Sequence, residues 1–263
     1  MDGHILKSEW DGVLELVLNR PEKLNALTLD MFSTIRASVD ELRRRADLRV
    51  LLIRATGRYF SAGADLTESE PVNFEGSPTA ARTWMRTEMG CGMHALYEEM
   101  ERIEKPIVVA HQAMCVGAGL ELSLSCDFRL ATSSAGYWFP EMQIGMLPLS
   151  NGVGKLTRIC GAHWARWMVV ANEKVSAEQA LSMGLIHKLY ADETFVDDVQ
   201  AFARRLAGFP VEVVAAGKLA VEMAQDLGAE QSRQLERFAF SSLTFAPGKE
   251  EIARKVRKRL EGE

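Results

Sequence analysis

The chain up to about Asn151 alternates between segments typical of strands and segments typical of helices. Residues 50–55 (VLLIRA) and 106–111 (PIVVAH) are short, mostly apolar runs with the pattern of buried strands. Residues 29–46 carry apolar side chains at helical spacing, and from Asn151 onward the sequence is nearly all helix-like. This order of elements predicts an α/β fold followed by a helical C-terminal region.

Local signals predict several further elements. Strands are expected over residues 4–8 and 13–19, and a short one over 184–190. Thr28 is of the residue type that caps a helix N-terminus, and it precedes the first helical pattern. A long helix is predicted over about 79–103, since a proline follows shortly after it.

The division into domains follows from the same pattern. At 263 residues the chain could form one large domain or two small ones. No linker forces a split, so we assign residues 1–195 to the core. Residues 196–263 form a helical C-terminal region, which belongs to the same domain or makes a small subdomain.

Charge and cysteine usage narrow the class of protein. The net charge of −5 and the pI near 5.7 argue against a nucleic-acid-binding protein with a broad basic face. No apolar run is long enough to span a membrane, and the N-terminus lacks the pattern of a signal peptide. The scattered cysteines predict reduced thiols and a cytoplasmic protein; they are Cys91, Cys115, Cys126 and Cys160.

Several common catalytic motifs are absent. GVGK at 152–155 is similar to part of a phosphate-binding loop, but that motif needs Gly at position 149 and Ser or Thr at 156, where this chain has Leu149 and Leu156. Neither a dinucleotide-binding glycine motif nor a serine-hydrolase elbow occurs. The five histidines show no metal-ligand spacing, so we predict no metal site.

Two glutamates stand in apolar sequence. Glu121 lies in VGAGLELSLSCD (116–127), and Glu141 lies in YWFPEMQIGMLP (137–148). A buried carboxylate without a partner costs several kcal/mol or takes up a proton. Two of them, each beside a loop able to bind an oxyanion, predict a proton-transfer site.

Two loops of small residues accompany these glutamates. SAGADL (61–66) and VGAGLE (116–121) each follow a predicted strand. Glycine and alanine let the backbone approach a ligand, and the second loop also opens a helix, where N–H donors are free. Tight packing of strand on helix would explain either loop alone. Together with the glutamates they favour an oxyanion hole made of two peptide N–H groups.

With these features in place, the sequence resembles the enoyl-CoA hydratase/isomerase (crotonase) superfamily over nearly its whole length. The similar segments, in order, are RPEKLNAL (20–27), FSAGADL (60–66), KPIVVAHQAMCVGAGLELSLSCD (105–127), FPEMQIGMLP (139–148) and VSAEQALSMGLIHKL (175–189). The resemblance implies a crotonase-like spiral of ββα units with a helical C-terminal trimerisation region.

The resemblance also implies an acyl-CoA substrate and an enoyl-CoA hydratase activity. The oxyanion donors would be the N–H groups of Ala64 and Ala118. Glu121 would activate water for attack at Cβ, and Glu141 would handle the proton at Cα. No separate cofactor is expected, because coenzyme A is part of the substrate. The residues implied to lie near coenzyme A are Lys23, Ala26, Leu27, Ala62, Asp65, Leu66 and Thr67.

A homotrimer, or a hexamer built from two, is the implied assembly, with neither nucleic acid nor membrane as a partner. Apolar residues grouped near the end of the helical third also favour an assembly, because a monomer of this size would expose many of them. They are Phe238, Phe240, Leu243 and Phe245.

Other activities on the same fold stay open. A Δ3,Δ2-enoyl-CoA isomerase needs only one carboxylate, so the presence of both glutamates favours hydration. Thioester hydrolases, decarboxylases and dehalogenases are further alternatives, although no Asp–His pair replaces the glutamates as a dehalogenase would require. A non-catalytic or RNA-binding member should have lost a carboxylate or gained a basic stripe, and neither is seen.

The chain departs from the family pattern in three places, one of which is Ala171-Asn172, where the family usually has Thr-Gly. The family's glycine-rich stretch after the second glutamate is PLSNG (148–152) here, and its side chains are candidates for the lining of the acyl pocket. The C-terminal segment KEEIARKVRKR (249–259) also differs. Its basic residues either contact CoA phosphates or form a solvated helix face.

Overall fold

The computed structural model describes residues 3–67, 77–87, 91–244 and 254. Contacts divide the chain into two compact units, Met1–Gly208 and Phe209–Glu263. Within the described residues, no helix is both long and apolar enough to cross a membrane.

The first unit contains two sheets. Its strands are β1 (Ile5–Trp10), β2 (Val13–Leu18), β3 (Val50–Ala55), β4 (Tyr59–Ser61), β5 (Ile107–His111), β6 (Met114–Val116), β7 (Phe128–Thr132), β8 (Gly136–Trp138), β9 (Val175–Ser176) and β10 (Lys188–Tyr190). Its helices are α1 (Leu29–Arg44), α2 (Pro78–Thr87), α3 (Cys91–Arg102), α4 (Ala118–Leu124), α5 (Gly152–Ala165), α6 (Ala177–Ser182) and α7 (Phe195–Ala207).

The larger sheet has six strands in the order β1-β2-β3-β5-β7-β10, all parallel except the antiparallel pair β1–β2. Every residue of β2 is buried, because helices cover both faces of the sheet. On one face Leu14 and Leu16 join the core cluster that contains the apolar side of α1. On the other face Val13 packs with Phe195 and Val199 of α7. A strand covered on both sides must be apolar throughout, as β2 and β3 nearly are.

The smaller sheet has the order β4-β6-β8-β9, with β4, β6 and β8 parallel. Each of its first three strands directly follows a strand of the larger sheet, so the chain passes repeatedly from one sheet to the other. Parallel neighbours end at the same edge of a sheet. The segments that leave β4 and β6 are therefore brought together, and these are the two loops of small residues predicted above.

Most predicted elements are present, with some changes of length. Thr28 caps α1, since its side chain accepts a hydrogen bond from the Met31 N–H, and β3 covers the predicted residues 50–55. The predicted strand 184–190 is wrong in its first half, because Gly184 adopts a left-handed φ of 80° and only β10 is extended. In place of one helix over 79–103 the structure has α2 and α3, and residues 88–90 lie outside the described residues.

The second unit contains two helices, α8 (Val211–Ala224) and α9 (Ala229–Thr244), which contact each other. Phe238 and Phe240 on α9 are exposed, and Leu243 is half-buried. Phe245 and most of the basic segment 249–259 lie outside the described residues. The predicted trimer or hexamer stays a prediction.

Candidate active site

The two loops of small residues meet beside the smaller sheet. Gly63, which follows β4, has a φ of 101°, a conformation that favours glycine. A Cβ atom there would lie 3.3 Å from the carbonyl oxygen of Val116 and 3.5 Å from the amide nitrogen of Ala118. The backbones of the two loops are therefore nearly in contact, which requires a residue without a side chain at this position.

Both predicted oxyanion donors are free to bind a ligand. Ala64 is exposed, and Ala118 is the first residue of α4, where an N–H has no partner within the helix. Within the described residues, neither N–H donates to a protein acceptor. The following peptide group is also held in place, because the Tyr97 hydroxyl donates to the Ala118 carbonyl oxygen at 2.8 Å. Two unpaired donors on adjoining loops are suited to binding a carbonyl oxygen that gains negative charge.

Glu121 lies one helical turn after Ala118 and is only 2% exposed. Its Oε1 accepts a hydrogen bond of 2.7 Å from the Ser150 N–H. Gly152 makes room for the carboxylate, since a Cβ atom at that position would lie 2.8 Å from the same oxygen. The carboxyl group is thus buried, yet it is held in place by the chain just before α5.

The pKa of Glu121 is raised to about 7, mainly by burial and to a smaller extent by the nearby Glu141 carboxylate. The N–H groups of Ser150 and Gly152 and the ammonium of Lys155 oppose this effect. A carboxyl group with this pKa is present in both protonation states near neutral pH. It can therefore act as a general base or a general acid under those conditions.

Glu141 sits in a short 3₁₀ turn, Pro140–Ile144, beside the same oxyanion loop. A Cβ atom on Gly117 would lie 2.9 Å from Glu141 Oε1, so this carboxylate borders the loop that carries the Ala118 N–H. Burial raises the pKa of Glu141. Its Oε2 atom is buried and has no hydrogen-bond partner among the described residues, so it is available to a substrate.

The surroundings of Glu141 differ from those expected. The sequence predicted an apolar environment on both sides, but Met142 and Ile144 are exposed and Glu141 itself is only half-buried. A 3₁₀ turn has about three residues per turn, so neighbouring side chains point in different directions. Met142 and Ile144 therefore do not enclose the carboxylate, whereas the preceding Phe139 is buried in the core.

The residues implied to bind coenzyme A come together on two linked segments. The Leu27 N–H donates to the Gly63 carbonyl oxygen at 2.8 Å, and the Asp65 N–H donates to the Leu27 carbonyl oxygen at 2.9 Å. Arg20 reinforces this link with a 2.5 Å ion pair to Asp65. Hydrogen bonds from Thr67, followed by the Arg20 contact, lower the pKa of Asp65.

These residues differ in their accessibility. Lys23, Leu66 and Thr67 are exposed, whereas Ala26, Ala62 and Asp65 are half-buried and Leu27 is buried. The Asp65 carboxylate is engaged by protein groups and the Leu27 side chain faces the core. These two residues therefore position the loops, and their side chains are not presented to a ligand.

Sequence reasoning did not assign the observed roles of three residues at the site. Tyr97 donates to the Ala118 carbonyl oxygen, Ser150 donates its N–H to Glu121, and Lys155 is buried near Glu121. Lys155 forms an ion pair with Glu101 and donates to the Ser125 hydroxyl at 2.7 Å. Only Ser150 had a signal, because it falls in the stretch that departs from the family pattern. Within the described residues, no group of His, Cys, Asp or Glu side chains is arranged to hold a metal ion.

The raised pKa of Glu121 makes stability depend on pH. As the pH rises from the ordinary value of 4.5 to about 7, the unfolded chain loses this proton before the folded protein does, so the free energy of unfolding falls. Glu121→Gln removes the titrating group and keeps an acceptor for the Ser150 N–H. We expect the variant to be more stable than the wild type at pH 8, by up to about 3 kcal/mol, but not at pH 4.5.

Urea unfolding of both proteins at the two pH values measures this difference. An equal stability difference at pH 4.5 and pH 8 would contradict the raised pKa.

Comparison with known proteins identifies a family and several relatives that act on CoA esters. A family model described as enoyl-CoA hydratase/isomerase matches residues 8–255. A curated relative from Mycolicibacterium paratuberculosis, named as a probable enoyl-CoA hydratase, is 31% identical over 234 residues, which cover 87% of this chain and 87% of the relative. The 1,2-epoxyphenylacetyl-CoA isomerase of Escherichia coli is 29% identical over 248 residues, which cover 93% of each chain.

Solved structures agree with these relatives. A crystal structure of an enoyl-CoA hydratase subunit from Geobacillus kaustophilus superposes with a TM-score of 0.85 and 28% sequence identity. The superposition covers 97% of this chain and 96% of the other.

Proposed function

This chain belongs to the enoyl-CoA hydratase/isomerase family, and we propose that it is an enoyl-CoA hydratase that adds water reversibly across the α,β double bond of an acyl-CoA thioester. The observation that carries the proposal is the pair Glu121 and Glu141, both with raised pKa values and both bordering the loop that presents the Ala118 N–H. Hydration needs two proton-transfer groups, and both are present.

The proposed reaction follows from the positions of these groups. The thioester oxygen accepts hydrogen bonds from the N–H groups of Ala64 and Ala118, which draws electrons from the double bond. Glu121 takes a proton from a water molecule whose oxygen bonds to Cβ, and Glu141 gives a proton to Cα. The sum is addition of H and OH, with the thioester intact. At the end of the reaction Glu121 has gained a proton and Glu141 has lost one, and proton exchange with water restores both groups.

Isomerisation is the second candidate, since the family model that matches this chain is described as enoyl-CoA hydratase/isomerase. Moving a double bond requires a single carboxylate that removes a proton from one carbon and returns it to another. Glu141 would be suited to this role, because its buried Oε2 has no hydrogen-bond partner among the described residues. Isomerisation would leave Glu121 without a role in the reaction, and we therefore favour hydration.

Two assays separate the candidates. For a hydratase, crotonyl-CoA loses its enoyl-thioester absorbance and yields 3-hydroxybutyryl-CoA. For an isomerase, a 3-enoyl-CoA gains that absorbance and the product is not hydrated further. Absence of turnover with crotonyl-CoA and with a panel of longer and branched 2-enoyl-CoA esters would rule out the hydratase. Acyl-chain preference, assembly and cytoplasmic location stay predictions.

A further inference from the structure

Glu121 is connected through Ser150 to a histidine that the proposed reaction does not use. The Ser150 N–H donates to Glu121 Oε1 at 2.7 Å, and the Ser150 side-chain oxygen lies 2.6 Å from His94 Nδ1. Ser150 is only 5% exposed, and His94 is half-buried on α3. Glu121 is therefore linked to helix α3 by two hydrogen bonds, one made by the backbone N–H of Ser150 and the other by its side chain.

The chain before α5 needs such an anchor. Asn151 adopts a left-handed φ of 62° at the start of the helix, and its side chain makes no capping bond. The preceding side chain, Leu149, is exposed. The bond between the Ser150 hydroxyl and His94 is thus a side-chain contact that ties this turn to α3, next to the ion pair of Lys155 with Glu101.

Burial and nearby charged groups determine the protonation of His94 and Glu121. Burial lowers the pKa of His94, Lys155 on α5 lowers it further, and Glu98 on α3 opposes them. His94 is therefore neutral at pH 7, and its bond to Ser150 forms in either tautomer, with the hydroxyl or the ring nitrogen as donor. Glu121 faces Glu141, Lys155 and the phenol of Tyr97.

We propose that His94 and Ser150 are a positioning pair for Glu121: His94 fixes the Ser150 hydroxyl, which keeps the Ser150 N–H directed at the carboxylate and favours its ionised form. In the proposed reaction the pair exchanges no proton with the substrate and acts through Glu121. It offsets part of the burial of Glu121, so that the carboxylate ionises near neutral pH. This inference rests on the proposed function only where turnover is the measurement.

The test compares variants that remove either partner of the hydrogen bond between His94 and Ser150. His94→Ala and Ser150→Ala each remove one side of the bond, and Ser150→Ala removes only a hydroxyl. His94→Asn retains an amide that can reach Ser150 in place of Nδ1. Ser38→Ala is the matched control, because Ser38 is equally buried but bonds to the Thr34 carbonyl oxygen in α1, away from the site.

The first measurement is an infrared titration of the Glu121 carboxyl band, identified by its loss in Glu121→Gln. A full hydrogen bond to a charged group corresponds to about one to two pH units. We expect His94→Ala and Ser150→Ala to raise the Glu121 pKa by about half to one unit through loosening of this bond. The double variant should show no more than the larger single shift, whereas His94→Asn and Ser38→Ala should stay at the wild-type value.

The second measurement is the pH profile of kcat/KM with crotonyl-CoA. Its acidic limb should move upward by the same amount in the same variants. Wild-type titration in both Ala variants, or fully additive shifts in the double variant, would overturn the positioning role. The infrared titration needs no substrate, so a failure of the hydratase proposal would remove only the second measurement. Should His94→Ala not fold, Ser150→Ala alone decides the outcome.

Discussion

Glu121→Gln and Glu141→Gln are each expected to lower the rate of crotonyl-CoA hydration by about 10²–10⁴-fold, because glutamine keeps the size of glutamate but cannot exchange a proton. Affinity for the CoA thioester should change little, since neither substitution removes an oxyanion donor. Steady-state kinetics together with equilibrium binding of a CoA ester distinguish the two effects.

A matched control tests whether burial alone explains the loss. Glu15 is 3% exposed, close to the 2% of Glu121, but it pairs with Arg54 on the larger sheet. Glu15→Gln should reduce stability while the folded protein retains its turnover. Retention of more than about a tenth of wild-type hydration by both site variants would show the mechanism to be wrong. A loss confined to Glu141→Gln would favour isomerisation.

Ala118→Pro is expected to lower turnover by about 10²–10³-fold, the cost of removing one oxyanion donor. The substitution suits this position, because Ala118 is the first residue of α4 and proline is well tolerated there. The proline ring costs α4 no internal hydrogen bond, although it adds atoms beside the Gly63 backbone, so the fold is measured together with turnover. Circular dichroism of the purified variant checks the fold, and hydration kinetics measure the loss.

Ala229→Pro is the corresponding control, since Ala229 is the first residue of α9 and lies in the other unit. It should leave turnover close to wild type. A folded Ala118→Pro protein with unchanged turnover would remove the Ala118 N–H from the mechanism.

The fold was largely predictable from the sequence, because the motifs that identify it occur in a characteristic order and individual residues mark the ends of its elements. The motifs from 20–27 to 175–189 predicted an α/β crotonase-like fold with a helical C-terminal region, and the structural likeness confirms it. Thr28 marked the start of α1 through the chemistry of a single cap. The error at 184–190 has a physical reason: Leu185 and Ile186 are buried in the core without being extended, so their apolar character suggested a strand.

The candidate site was predictable only where a motif contained the residue. Glu121, Glu141, Ala64 and Ala118 each fall in such a motif, and the structure places all four around the two loops of small residues. His94 gave no signal, because its contact with Ser150 joins positions 56 residues apart and one histidine among five is not distinctive. Contacts of this kind depend on how α3 packs, which no short stretch of sequence encodes.

The order of strands in the larger sheet has a consequence for how the protein emerges from the ribosome. Its strands follow the order of the chain, so every strand pairs with a neighbour that has already been synthesised. The sheet can therefore grow at one edge as synthesis proceeds, without waiting for a distant C-terminal segment. Every side chain assigned to the site above has been synthesised once α5 is made, and the following segment then packs against the turn that carries Glu141.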